Sequence, residues 1–454
     1  KQTQTPERVA RISPATTYPI HVIGDLDIIN NNSLDINGTT LIVDGEINVE
    51  AGSTLLLEDV GGELINNSDF TLNGELDIDG GDVLVHGEFN LNNTGTLTID
   101  GGSFVSDVSF GGTNTNLRGT FNLSDGTFEA TNTNITFSSS CTDNITGGLI
   151  RVGANFYAIY SNTFQPSGGT TEFIGSIGTV SCSNGNYFYS LEGNHGLILN
   201  SDLTIQNDLD ITSGYFELNN HEVTVNNNVE IYGGLRLNED NDVLNVENDI
   251  TFYSGSTTTY LTSGTINVLG DWYFNDGTNA QFDTGNTVNF VGTGSQSIYC
   301  YDADAEFGSV GIHQPGTSNN VYFNGSSTQP MQVAGDMDVN SGNTFHIHNE
   351  DLIVDGTLDI NNGGTMNMMA SGSLTNNSDF DLYGELDIDG GDALIHGEFE
   401  LASTGTLTID GGSFVSDAAF SRAYQYIRGD FNMSSGLFEI TNNHLRFMTT
   451  CVDN

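Results

Sequence analysis

Short apolar–polar–apolar triplets recur along this sequence at a nearly constant spacing. In the N-terminal part, successive triplets begin 21 residues apart, at Leu34-Asp35-Ile36, Leu55-Leu56-Leu57, Leu76-Asp77-Ile78 and Leu97-Thr98-Ile99. In a β-strand, the first and third residues of a triplet point to one side and the middle residue to the other. A repeat of this length made of short strands is typical of one solenoid coil. The spacing predicts an all-β fold, a right-handed parallel β-solenoid (β-helix) with coils of about 21 residues.

A much longer repeat encloses the short one. Residues 66–110 align with residues 376–420 at an offset of 310, and 36 of the 45 positions are identical. The match continues more weakly to Asn144 against Asn454. We therefore expect a first solenoid repeat unit over residues 21–330 and a partial second copy, continuous with the first, over residues 331–454.

Residues 1–20 fit the coil pattern poorly and carry Lys1, Arg8 and Arg11, three of the nine basic residues. We interpret this segment as an N-terminal arm or cap that covers an exposed solenoid end. That end is either the chain's own first coil or the acidic last coil of a neighbouring molecule, and the sequence leaves both alternatives open.

Composition narrows the class of protein. The chain has 59 acidic and 9 basic residues, a formal net charge of −50, which opposes binding to nucleic acid and to anionic membranes. No apolar run approaches the length of a transmembrane helix, so we expect no membrane insertion. The 56 glycines disfavour helices. The sequence does not begin with Met, so we expect a mature secreted chain whose leader has been removed.

The triplets, together with the segment Phe290-Val291-Gly292-Thr293-Gly294-Ser295-Gln296-Ser297-Ile298, resemble large surface and secreted repeat proteins of Bacteroidota. Many proteins of that kind are exported by the type 9 secretion system and act as adhesins or filament components. The resemblance implies an extracellular or cell-surface location. It also implies a tandem-repeat protein of the adhesin or filament type.

The predicted function is structural rather than catalytic. We expect a component of an extracellular fibre or cell-surface filament that self-associates, with end-to-end polymerisation as one hypothesis. The alternative is a surface adhesin that binds glycans or other cell-surface components. Its candidate sugar-stacking residues lie outside the triplet frame: Tyr157, Tyr160, Tyr187 and Tyr189.

A less favoured alternative is a polysaccharide-degrading β-helix enzyme. Polygalacturonase-like enzymes use an adjacent pair of aspartates and an Arg-x-Lys motif. This sequence contains no Asp-Asp pair, and its single lysine is Lys1. We therefore expect no enzymatic activity and no catalytic residues.

Aspartates at the glycine-rich corners are the candidate metal ligands. Carboxylates stacked about 5 Å apart on successive coils would repel one another, and calcium could bridge them. The competing interpretation is that Asp simply favours the turn before Gly. The predicted calcium site consists of Asp79, Asp100, Asp389 and Asp410. No other cofactor is expected.

The four cysteines do not form a disulfide framework. Cys141 and Cys182 are separated in sequence by about two coils, which places their Cα atoms roughly 10 Å apart, too far for a bridge. We expect buried thiols.

Overall fold

The regular secondary structure of this chain consists of β-strands. The computed structural model describes residues 8–12, 18–108, 114–275, 277, 280–303, 305–313, 320–324, 329–369, 371–418, 425–442, 444–448 and 451–453. Helices are absent from these ranges, and neighbouring strands pair in parallel from coil to coil. The predicted all-β parallel β-solenoid is confirmed, whereas the right-handed winding stays a prediction.

The chain divides into two compact units, residues 1–217 and residues 218–454. This division differs from the sequence repeat, whose boundaries stay a prediction. The strands of the first unit are β1 (Val9–Ile12), β2 (Ile20–Val22), β3 (Leu26–Ile28), β4 (Ser33–Ile36), β5 (Thr40–Val43), β6 (Ile47–Val49), β7 (Thr54–Leu57), β8 (Glu63–Asn66), β9 (Phe70–Leu72), β10 (Glu75–Val85), β11 (Phe89–Leu91), β12 (Thr96–Ser106), β13 (Asn114–Leu117), β14 (Thr120–Leu123), β15 (Thr127–Ala130), β16 (Asn134–Phe137), β17 (Thr142–Val152), β18 (Phe156–Ala158), β19 (Gly168–Phe173), β20 (Ile177–Cys182), β21 (Ser190–Gly193), β22 (Gly196–Leu199), β23 (Leu203–Ile205), β24 (Leu209–Ile211) and β25 (Tyr215–Glu217).

The second unit continues with strands of similar length. They are β26 (Glu222–Val225), β27 (Val229–Ile231), β28 (Gly234–Leu237), β29 (Val243–Val246), β30 (Ile250–Phe252), β31 (Thr257–Leu261), β32 (Thr265–Val268), β33 (Trp272–Phe274), β34 (Thr287–Phe290), β35 (Ser295–Cys300), β36 (Glu306–Phe307), β37 (Ser309–Ile312), β38 (Asn320–Phe323), β39 (Met331–Val333), β40 (Met337–Val339), β41 (Thr344–His348), β42 (Asp351–Val354), β43 (Leu358–Ile360), β44 (Thr365–Met369), β45 (Ser373–Asn376), β46 (Phe380–Leu382), β47 (Glu385–Ile395), β48 (Phe399–Leu401), β49 (Thr406–Ser416), β50 (Gln425–Ile427), β51 (Asp430–Met433), β52 (Leu437–Ile440), β53 (Leu445–Phe447) and β54 (Val452–Asp453).

One coil contains three successive strand positions. The strands β4, β5 and β6 form one coil, and each pairs with its counterpart β7, β8 or β9 in the next. The register joins Leu34 to Leu55, Leu55 to Leu76 and Leu76 to Leu97, which reproduces the spacing of the triplets in the sequence. The first and third residues of these triplets are buried, as their alternation predicts, apart from the half-buried Leu34.

The glycine-rich corners lie inside long strands rather than in separate turns. The strands β10 and β12 each run for 11 residues around the corner between the first two strand positions. Gly102 has a φ of +67°, and a Cβ on this residue would lie 1.9 Å from the carbonyl oxygen of Gly81. A side chain is therefore excluded at this corner. The copies β47 and β49 repeat the same strand lengths at the offset of 310.

Phenylalanine rings fill the interior of the first unit. The ring of Phe89 lies 5.6 Å from that of Phe70 and 4.4 Å from that of Phe104, and Phe104 stacks on Phe128 at 5.5 Å. All four side chains are fully buried. Aromatic pairs at these separations stabilise the stack beyond the burial of apolar area alone.

The described part of the N-terminal segment belongs to the first coil. Strand β1 pairs in parallel with β4, with Val9 opposite Ser33 and Ile12 opposite Ile36. The Nε atom of Arg11 lies 2.6 Å from Oδ2 of Asp35 in that next coil. One basic residue of the segment thus makes an ion pair within its own chain. Residues 1–7, with Lys1, and residues 13–17 lie outside the described residues.

Candidate functional site

The aspartates of the predicted calcium site are exposed at the corners of the long strands. A shift of register at the corner places Asp79 opposite Gly101, and Asp389 opposite Gly411, so neither lies directly opposite the aspartate of the next coil. The hydroxyl of Ser124 donates to Asp100 at 2.5 Å, and that of Ser434 donates to Asp410 at 2.6 Å.

Within the described residues, no group of three or more His, Cys, Asp or Glu side chains has the arrangement of a metal site. The calcium hypothesis stays a prediction.

A row of carboxylates crosses four successive coils in the second unit. Asp338 is paired with Asp359, Asp359 with Asp381, and Asp381 with Glu400. Burial, and then the charges of Asp338 and Asp381, raise the pKa of Asp359 to about 6. Arg428 donates a hydrogen bond to Glu400 at the end of the row. Asp359 therefore binds a proton at a higher pH than an exposed aspartate does.

This carboxylate row could have been found from the sequence. Asp338, Asp359 and Asp381 are the middle residues of triplets, and such residues face outward. The signal is the same residue type at the same triplet position in successive coils.

Alternating charges occupy a row of a different sheet in the first unit. Arg151 lies between Glu129 of the preceding coil and Glu172 of the following coil. Its Nη1 atom is 3.1 Å from Oε2 of Glu129, and its Nε atom is 2.8 Å from Oε2 of Glu172. The hydrogen bond to Glu172 is the main cause that raises the pKa of Arg151. One guanidinium thus joins three successive coils.

The predicted sugar-stacking tyrosines lie in the first unit. The Tyr160 side chain is 45% exposed, whereas Tyr157, Tyr187 and Tyr189 are half-buried. The hydroxyl of Tyr187 donates to the carbonyl oxygen of Gln165 at 3.4 Å. Tyr160 is therefore the most accessible of the four rings.

Stacked tyrosines in the second unit were missed by the sequence reasoning. The rings of Tyr232 and Tyr253 are 4.1 Å apart and nearly parallel, as are those of Tyr273 and Tyr299 at 4.7 Å. In each pair, one face of each ring covers the other. A sugar could stack only on the remaining faces, so these pairs serve mainly to join coils.

The predicted buried thiols are confirmed for three of the four cysteines. Cys141, Cys182 and Cys300 are buried, Cys451 is half-buried, and none forms a disulfide. Burial raises the pKa of Cys141 to about 12, and it also raises the pKa of Cys182 and Cys300. These three thiols are unsuited to act as nucleophiles because they remain protonated at neutral pH.

The last coil, formed by β51, β52 and β53, exposes side chains that its copy in the first unit buries. Met433 is 39% exposed and Phe447 is 54% exposed. Their counterparts at the offset of 310, Leu123 and Phe137, are fully buried. In the first unit β17 and β18 cover β14, β15 and β16. The difference in burial therefore comes from the following coil and not from the strands themselves.

The first coil, formed by β1, β2 and β3, is covered on one side by β4, β5 and β6. Ile20, Val22 and Leu26 are at most half-buried, although they continue the alternation of the interior residues. Their partial exposure follows from this pairing on one side.

Comparisons with known proteins yield one structural match. No protein-family model and no curated protein matches this chain. A crystal structure of a TibC-catalysed, hyper-glycosylated fragment of TibA matches with 13% sequence identity and a TM-score of 0.18, covering 96% of this chain and 97% of that fragment. The resemblance to Bacteroidota surface proteins stays an expectation. In the described part of the chain, no helix is long and apolar enough to span a bilayer.

Proposed function

We propose that this chain is a structural component of an extracellular fibre or cell-surface filament, and that it acts by end-to-end stacking of coils rather than by catalysis. The observation that carries the proposal is the parallel solenoid itself, in which a segment with a buried apolar interior recurs almost identically at an offset of 310. Strands β47 and β49 of the copy repeat the lengths and the register of β10 and β12.

The energetic argument rests on apolar burial and on backbone pairing. Coils of this solenoid pair strand by strand, and fully burying one Phe side chain between two coils contributes about 1.5–3 kcal/mol. A solenoid strand without a neighbour presents an edge at which a further parallel strand can pair. The net charge of −50 opposes this association, so physiological salt, which screens exposed charges, should favour it.

Sedimentation velocity and negative-stain electron microscopy test the proposal. We expect concentration-dependent association of the unmodified chain from physiological salt upward. An unmodified chain that stays monomeric at high concentration across a range of salt would refute the fibre proposal.

A second candidate function is a surface adhesin that binds glycans. It is favoured by a small apolar patch in the first unit, where Tyr160 and Ile159 are each 45% exposed. An exposed aromatic face is suited to stack on a sugar ring. A glycan array should then show hits that Tyr160→Ala removes, and an array without hits would contradict the adhesin.

A further inference from the structure

We propose that two histidines of one strand in the second unit, His346 and His348 of β41, bind a copper ion together with Met369 of β44 in the next coil. The surface lies within the second unit, where β41 is covered by β38 on one side and by β44 on the other. The inference goes beyond the proposed function and does not depend on it, because it involves no contact between copies of the chain.

The alternation of β41 places both imidazoles on its outer face. Phe345 and Ile347 are fully buried, whereas His346 and His348 are half-buried. Side chains two residues apart on a strand share a face and lie about 6.6 Å apart. The ring centroids of the two histidines are 6.0 Å apart. Imidazole nitrogens bind transition-metal ions at about 2.0–2.1 Å, which places the centroids of two rings on one ion roughly 5–6 Å apart. A small movement of the side chains therefore suffices for both rings to bind one ion.

Strand β44 supplies a third donor beside these rings. The register of β41 and β44 pairs His346 with Asn367 and His348 with Met369. The Met369 side chain is 39% exposed, so its thioether sulfur is not committed to the apolar interior. Paired strands lie about 4.8 Å apart, and the four outward side chains therefore form one block that a single ion can contact.

One ring nitrogen of His348 has no interaction partner. Its Nε2 atom is shielded from solvent and makes no hydrogen bond. A buried polar atom left without a partner costs about 1–3 kcal/mol, so a bond from this nitrogen to a metal ion would remove a penalty that the protein otherwise carries. The nitrogen reaches the ion by rotation of the imidazole about its side-chain bonds.

Hydrogen bonds orient the second ring, that of His346. The amide nitrogen of Asn367 lies 3.5 Å from Nδ1 of His346, and an amide nitrogen only donates, so Nδ1 is the acceptor. Nε2 then carries the hydrogen and donates to Oδ1 of Asn320 at 3.3 Å. Histidines that bind metal ions usually donate their other N–H in this way, which fixes the orientation of the ring. An ion at Nδ1 would replace the long hydrogen bond from Asn367.

Copper is the ion that this set of donors favours. Thioether ligands select Cu⁺, imidazole suits copper, and Cu²⁺ is the most tightly bound divalent ion of the first transition row. Burial, and then the charge of His348, lower the pKa of His346, which leaves its ring unprotonated and able to bind a cation at neutral pH. Calcium prefers oxygen ligands, so this site is distinct from the calcium site predicted at the corners.

The donor set also explains why the site differs from an ordinary cluster of metal ligands. Groups of three His, Cys, Asp or Glu side chains arranged for a metal are absent from the described part of the chain. Here the third donor is a methionine sulfur, which such a group does not include. The net charge of −50 raises the local concentration of cations around the chain.

The alternative is that these rings only join coils. The His346 ring stacks on Tyr322 at 4.4 Å, much as Tyr299 stacks on Tyr273 at 4.7 Å. A purely structural stack has no affinity for copper, whereas the proposed site does. Binding of the metal therefore distinguishes the two roles.

Calorimetric titration of the whole chain with Cu²⁺, and with Cu⁺ under anaerobic reducing conditions, tests the site. We expect one ion per chain in the tightest class of binding. His346→Gln and His348→Gln should each weaken this class at least tenfold. The matched control is His396→Gln, at an imidazole that is 39% exposed and paired with Asp417, and it should leave the binding unchanged. Met369→Leu should weaken the binding of Cu⁺ at least tenfold and that of Zn²⁺ much less.

Electron paramagnetic resonance of the Cu²⁺ complex provides a measurement that needs no variant. The unmodified chain should show hyperfine coupling to two imidazole nitrogens, and each of the two Gln variants should show coupling to one. Absence of copper binding, coupling to fewer than two imidazoles, or full affinity in either Gln variant would mean an adventitious ion only and would refute the site. Full affinity for Cu⁺ in Met369→Leu would refute the part assigned to the thioether. None of these results depends on self-association, so the fibre proposal is tested separately.

Discussion

Replacing Asp359 by Asn should stabilise the protein at neutral pH and have little effect in acid. Asp359 lies between Asp338 and Asp381 on the neighbouring coils, and its Oδ1 atom is a buried acceptor without a hydrogen-bond partner in the structure. An amide removes the charge and keeps the shape. The amide nitrogen can also donate a hydrogen bond to a neighbouring side chain of the row, as Asn267 donates to Asn245 at 2.8 Å.

The magnitude follows from the pKa of Asp359. Raising it from 3.8 to about 6 corresponds to about 3 kcal/mol between the two protonation states. The side chain keeps part of its contact with solvent, which screens the charges, so we expect about 1–2 kcal/mol. Because the folded-state pKa is raised, the protonated side chain favours the folded state below pH 3.8, and this contribution is lost as the pH rises through about 6.

Thermal unfolding at pH 4 and pH 7.5 measures the effect. Asp359→Asn should raise the melting temperature at pH 7.5 and change it much less at pH 4. The control is Glu50→Gln, at an exposed residue outside the row, which should show no such difference between the two pH values. An equal change at both pH values, or a loss of stability at pH 7.5, would refute the argument that charge repulsion along the row dominates.

Three further predictions address other parts of the chain. Arg151→Gln should destabilise the first unit by about 2 kcal/mol at pH 7 in a denaturant titration, because it leaves the charges of two mostly buried glutamates unpaired. In the same titration the control Arg118→Gln, at an exposed position, should change the free energy of unfolding by less than about 0.5 kcal/mol. A thiol reagent should modify Cys451 in the native protein but Cys300 only after unfolding, and native labelling of both would contradict the burial of Cys300. Melting temperature should rise with NaCl and rise further with millimolar Ca²⁺ at equal ionic strength. Asp100→Asn should remove the extra rise, and a melting temperature indifferent to both salts would contradict the repulsion between exposed acids.

The coil architecture could be predicted because one physical rule acts at every triplet. Leu76 and Ile78 were expected to face inward and Asp77 outward, and the two apolar side chains are fully buried. The alternation of side chains along a strand fixes which of them share a face. The regular step between triplets then fixes which residues pair across coils, so the register from Leu76 to Leu97 follows from the sequence as well.

The candidate sites were harder to predict because they depend on local departures from that regular step. The expected stacking of Asp79 on Asp100 assumed an unbroken register, whereas the bulge at the corner places Asp79 opposite Gly101. The paired residues Tyr273 and Tyr299 are separated by a longer stretch of chain than the usual coil, so a fixed step does not align them. Extra residues at the corners can lengthen a coil without changing its strands. The triplet pattern identifies the strands but does not give the number of residues between them.

The duplicated segment acts as an internal control for what stabilises a coil. Phe128 and Phe438 occupy equivalent positions in strands of equal length, yet Phe128 is fully buried and Phe438 is only half-buried. The strand's own sequence therefore does not determine its burial, which comes from the coil on either side. Stability in such a stack is a sum of contacts between neighbouring coils, and an end coil lacks one of those contacts.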